Sequence, residues 1–213
     1  MPSFYLRSSF VHPIVKKRTK SEGSPSLVRR NKGLTTNFQR AKCPIKNIRH
    51  NRMTIFALTF PLLFIFHDLE EIIGMRRFVN RNADMLQTRF PFLYKRLKNS
   101  TTEGFALAVM EEFVVFTSIS LVAIYFDNSL CWNIWYGGFL GLTAHYVMHI
   151  GQALVIRRYI PALITSIICL PISVLILHHC YALIDINVWH IIIGLAIVAL
   201  NMIPALKIAG RRQ

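Results

Sequence analysis

Apolar residues are gathered into long windows near 53–74, 104–126, 134–156, 159–178 and 186–206, each close to the roughly 20 residues that cross about 30 Å of hydrocarbon. Within a window the apolar positions run on almost without a polar face, which is the pattern of a helix surrounded by lipid or protein on all sides. Five membrane-crossing helices are therefore expected, in an all-α integral membrane helical bundle. Punctuation supports the boundaries. Ser100-Thr101-Thr102-Glu103 fits a capping box that opens the second helix, and Pro161 suits the first turn of the fourth. Trp132, Trp135, Tyr136, Tyr159 and Trp189 stand near window ends, where aromatic belts form.

Residues 1–52 lack both an apolar window and a sustained helical period, and read as a disordered basic tail. Residues 53–206 form the expected transmembrane domain, and 207–213 a short basic C-terminal tail. The whole chain of 213 residues is 53% hydrophobic and only 16% charged, which excludes a soluble α/β enzyme. Its formal net charge of +15 belongs mostly to the first tail, which carries 13 of the 25 Lys and Arg and a single acid, Glu22. The remainder is close to balance. Cys43, Cys131, Cys169 and Cys180 contain no C-x-x-C pair, so neither a disulfide framework nor a zinc ribbon is indicated.

Loop charge predicts an orientation. Seven basic residues lie in 75–103, none in 127–133, two (Arg157 and Arg158) in the third connection, none in the fourth, and three in the C-terminal tail. The positive-inside rule then places the 75–103 loop in the cytoplasm, in a plasma (inner) membrane. The same rule would require the basic tail to be translocated. Three explanations compete: an incompletely inserted first helix, a cleaved targeting segment, or a start placed too far upstream with Met53 the true one, which is preferred.

A charge at mid-membrane costs about 2.5–3.5 kcal/mol on insertion scales, so the few inside these windows are functional candidates. The first window ends in His67, Glu70 and Glu71, at i, i+3 and i+4 and hence on one helical face. The second holds Glu111 and Glu112, and the third His145 and His149, also i, i+4 neighbours. Glu111, which shares its stripe with Gly104, Ala108 and Ser118, is the one of its pair expected to face inward. Gly137 and Gly141 continue the His145/His149 face with the small-xxx-small spacing of close helix approach. Depth links the three sets. His67 lies nine residues before Arg76, His149 eight before Arg157 and Glu111 eight after Glu103, so each sits roughly 12–14 Å below one membrane face.

Carboxylates buried in hydrocarbon need a proton, a counter-charge or a metal, and no Lys or Arg lies inside the windows. His67, Glu70, Glu71, Glu111, Glu112, His145 and His149 are thus candidate ligands, an N/O set that suits Zn or Fe. Glu71 and Glu111 are the candidate catalytic carboxylates. Blander roles compete with each set: snorkelling of His67, Glu70 and Glu71 toward Arg76 or Arg77, and hydrogen bonding of the histidines across helices. His178, His179, Asp185 and His190 read as interfacial residues of the other membrane face. H-E-x-x-H, H-x-x-E-H, Walker and G-x-S-x-G patterns are all missing from the sequence.

His67-x-x-Glu70-Glu71 at the end of a first hydrophobic helix, then Glu111-Glu112 in a second and His145-x-x-x-His149 in a third, resembles the HXXEE-domain family of small multi-pass membrane proteins. The resemblance implies a four- or five-helix membrane domain over about 53–206 with a polar or metal site, and no particular reaction. Three functional classes follow: a metal-dependent membrane enzyme acting on a lipid or other apolar substrate, a proton-coupled or metal-ion permease, or a non-catalytic scaffold. The expected partner is membrane lipid, met by the basic 75–103 segment with its interleaved Phe90, Phe92 and Tyr94. Nucleic acid is not expected, since charge is its only support.

Overall fold

The computed structural model describes the backbone of residues 26–209 and the side chains of 48–205, Arg96 excepted. Expectations for residues 1–25 and for 210–213 lie outside the described residues. Among these, seven helices and no strand occur: α1 (Ser26–Arg81), α2 (Ala83–Arg89), α3 (Pro91–Leu97), α4 (Thr102–Phe126), α5 (Ser129–Ile156), α6 (Leu163–Tyr181) and α7 (Val188–Ala209). The chain divides into two units at Cys43/Pro44, and the second contains every apolar span.

Five stretches are long and apolar enough to cross a membrane: Ile48–Arg81 of α1, then α4, α5 and α6 entire, and Val188–Ala205 of α7. Helices satisfy this need because hydrocarbon offers the backbone no hydrogen-bond partner, and a helix satisfies its own N–H and C=O groups. Much of the outer surface is apolar, as at Leu62, Ile73, Leu154 and Leu200.

Four boundaries differ from the sequence expectation, each for a local reason. Helix α1 begins inside the expected tail and runs on through Arg81, so the basic segment after Gly74 starts as helix rather than loop. Helix α4 is capped one residue later than the expected box, by Thr101, whose Oγ1 accepts from the Gly104 N–H at 3.0 Å. Glu103 then occupies the first turn, where a negative charge suits the helix dipole. Helix α5 starts at Ser129 rather than near 134 because the Asn128 side chain accepts from the Cys131 N–H at 2.9 Å. Pro161 falls before α6, since Ala162 takes a left-handed conformation (φ 68°) and the helix begins only after it.

Helix α5 packs on α4, α6 and α7. One half of the core is aromatic: Phe60 of α1 stacks on Phe116 of α4 with ring centroids 4.8 Å apart, Phe64 meets the same ring edge-to-face at 4.6 Å, and Phe60 meets Phe139 of α5 at 5.4 Å. Trp135, fully buried, stacks on Phe139. The other half of the core carries the charge.

Candidate functional site

In α1 a step of one residue turns the side chain by about 100°, so Glu70 and Glu71 diverge although both lie one turn from His67. Glu71 turns toward α5. Its Oε2 is 4.0 Å from His149 Nε2, and His149 Nε2 is 3.0 Å from His145 Nε2. The His67 ring stands edge-on to both, with centroids 5.0 Å from His149 and 5.2 Å from His145. One ligand-type atom from each of His67, Glu71, His145 and His149 lies within 4.8 Å of the other three. His67, Glu71 and His149 are buried and His145 half-buried.

Glu70 turns the other way and does not join this group. Its carboxylate accepts from the backbone N–H of Thr165 at 2.8 Å, from that of Ile164 at 3.4 Å, and from the Thr165 hydroxyl at 2.7 Å. The start of α6 has no side-chain cap of its own, so a carboxylate from α1 supplies it, satisfying exposed N–H groups with the favoured charge. The Tyr159 hydroxyl also donates to Glu70. Burial first, and then that hydrogen bond, push the Tyr159 hydroxyl up to about 12, so it remains a donor across the physiological range. Glu70, expected among the ligands, therefore stands outside the His/Glu group and caps α6. The Thr165 and Ser166 hydroxyls stand 3.3 and 3.5 Å from His67 Nδ1, which leaves Nε2 as the ring nitrogen free for a ligand.

Helix α4 also corrects the expectation. Glu112 is the inward carboxylate, 8% exposed, while Glu111 is half-buried and accepts from Asn201 of α7 at 3.3 Å. With α7 packed along α4, Ala108, from the stripe that argued for Glu111, packs with Ala205 of α7. Glu112 lines a cavity of about 270 Å³ together with Asp68, Glu71, His145 and His149. Asp68, buried and lining the same cavity as Glu71, is a member that sequence reasoning missed. The i, i+3 spacing of Asp68 and Glu71 was the available signal. Thr165, Ser166 and Tyr159 had none, since isolated hydroxyls are ordinary in membrane helices. Beyond its charged end the cavity is walled by Met75, Leu97, Phe105, Met148 and Met202, so it reaches from the His/Glu group to α3.

The donor chemistry fits a transition metal. His67 Nε2, the nitrogen that faces the group, is buried without a hydrogen-bond partner. Such atoms are costly to bury unpaired. Metal bonds of about 2.0–2.1 Å at a tetrahedral angle hold two imidazole nitrogens about 3.3 Å apart. His145 and His149 Nε2 already stand at 3.0 Å.

No curated protein and no solved structure matches the chain. A family described as protein of unknown function with HXXEE motif matches over residues 58–176. That stretch contains His67, Glu70, Glu71, Glu112, His145 and His149, and by this match the chain belongs to the HXXEE family.

Proposed function

We propose that the chain is a metal-dependent membrane enzyme acting on a lipid or other apolar substrate, with Zn or Fe held by His67, Glu71, His145 and His149. One observation carries the reading: the His/Glu group, with Asp68 and Glu112 beside it, lies at one end of a cavity of about 270 Å³ whose remaining wall is apolar except for Gln152. A buried polar centre facing an apolar chamber suits a substrate with a reactive polar group on a hydrocarbon body. A bound Zn²⁺ would act as a Lewis acid and bring the pKa of its water to about 7, whereas iron would imply oxidation. Glu112 and Asp68, beside the ligands, are the carboxylates placed to accept a proton from a molecule in the cavity, a role that passes from Glu111 to Glu112. The charge alternation of the loops supports a cytoplasmic position for the α2–α3 side in a plasma (inner) membrane.

A permease fits less well. An ion path must continue through both halves of the membrane, and on the far side of His67 the core is mainly Phe60, Phe64, Phe116, Trp135 and Phe139, with Ser120, Asn133 and Ser173 as uncharged polar side chains buried there. Metal analysis of the detergent-purified chain by mass spectrometry tests the proposal. Stoichiometric Zn, Fe or Mn is expected, and it should persist in Glu111→Gln, because Glu111 faces Asn201 and not the cavity. Trace metal in the wild type would overturn the reading.

A further inference from the structure

A second and larger cavity, about 790 Å³, lies between α1 and the start of α6, and its lining changes character along its length. At one end stand three guanidinium groups, from Arg77 and Arg81 of α1 and from Arg158 of the α5–α6 turn. At the other the wall is Phe66, Leu69 and Ile73, exposed by 48%, 48% and 78%. Phe66, Ile73, Arg77 and Arg81 follow one helical stripe, and the rise of 1.5 Å per residue puts Phe66 about 22 Å below Arg81.

We propose that this cleft binds an anionic phospholipid, its phosphate between Arg77, Arg81 and Arg158 and an acyl chain along Phe66, Leu69 and Ile73. Arg158 is held in position, since its Nη1 donates to Asn82 Oδ1 at 2.8 Å while Asn82 Nδ2 donates to the Phe78 carbonyl at 2.9 Å. Among the described residues none of the three arginines forms an ion pair with a carboxylate, so their charge is available. Glu70, the acid that borders the cleft, has its oxygens taken by Tyr159 and Thr165. Planar guanidinium forks match phosphate oxygens, and the apolar wall continues into the depth occupied by hydrocarbon. That continuity selects a lipid over a free phosphate. The cleft is separate from the His/Glu cavity, so the inference stands whether or not a metal binds there.

The test uses the full chain in nanodiscs of equal phosphatidylglycerol and phosphatidylcholine, with lipid retained after mild delipidation counted by native mass spectrometry. The wild type should retain phosphatidylglycerol preferentially, and the Arg77→Gln/Arg81→Gln/Arg158→Gln variant should lose that preference by about tenfold or more. Because Arg158 also holds Asn82, the Arg77→Gln/Arg81→Gln variant is measured beside it, with helicity and elution volume as controls of folding. The pair should lose much of the preference while remaining folded. Equal retention of both lipids by the wild type, or an unchanged preference in a folded variant, would overturn the proposal. Displacement of the retained lipid by millimolar inorganic phosphate would also overturn it, by assigning the cleft to free phosphate.

Discussion

Alanine at His67 or at His149 should lower metal occupancy, at limiting metal, by more than tenfold relative to the wild type, while Glu70→Gln should lower it less. Each histidine supplies one of the four ligand atoms gathered within 4.8 Å, and alanine at either leaves too few for a closed site. Loss even of a group that only orients a ligand typically costs about 10–100-fold in metal affinity, so loss of a ligand itself should cost at least that much. Glu70 acts at one remove, through the Thr165 hydroxyl that faces His67 Nδ1. A glutamine oxygen can still accept from the Thr165 N–H, so Glu70→Gln keeps part of the cap. Competition with a chromophoric chelator measures the four affinities. The order expected is wild type, then Glu70→Gln, then the two alanine variants together; equal affinity in all four would place the metal elsewhere.

Valine at Gly194 should prevent assembly of the bundle. A Cβ at Gly194 would lie 2.1 Å from the Ile134 carbonyl oxygen and 3.0 Å from the Gly138 nitrogen. At Gly137, on the facing helix, it would lie 2.2 Å from the Ile191 oxygen. These are backbone atoms, which cannot swing aside as a side-chain tip can, so α5 and α7 would have to separate. Overpacking of a tight core costs about 1–3 kcal/mol and sometimes more, and a clash with backbone on both sides belongs at the upper end. Gly151→Ala is the control, because a Cβ there meets nothing within 4 Å, and alanine favours helix over glycine. Thermal unfolding followed by size-exclusion chromatography should show Gly151→Ala at least as stable as the wild type and Gly194→Val as aggregate. A monodisperse Gly194→Val would mean that α7 does not seat on α5 as described.

The same interface explains what the sequence concealed. Gly137 and Gly141 signalled close approach correctly, but their partner is α7, through Ile191 and through Leu195 and Val198, rather than the helices that carry the site. Hydropathy identified the five spans because twenty apolar residues outweigh any local irregularity. It could not identify caps at Thr101 and Asn128, which depend on single hydrogen bonds. Similar depth below one membrane face related His67, Glu71 and His149, with His145 one turn deeper, since helical rise fixes height. Rotation is the weaker variable. Glu111 and Glu112 differ by about 100° about the helix axis, and Asn201 on a distant helix decides which faces the cavity. Glu70 was separated from Glu71 by a similar turn, toward α6 N–H groups that no pattern in residues 157–165 advertised.

X-ray absorption at the metal edge of the purified wild type tests the proposed centre most directly. The account predicts a first shell of nitrogen and oxygen at about 2.0–2.1 Å, with the outer-shell scattering of several imidazoles from His67, His145 and His149. A shell containing sulfur at about 2.3 Å, or one without imidazole scattering, would contradict it.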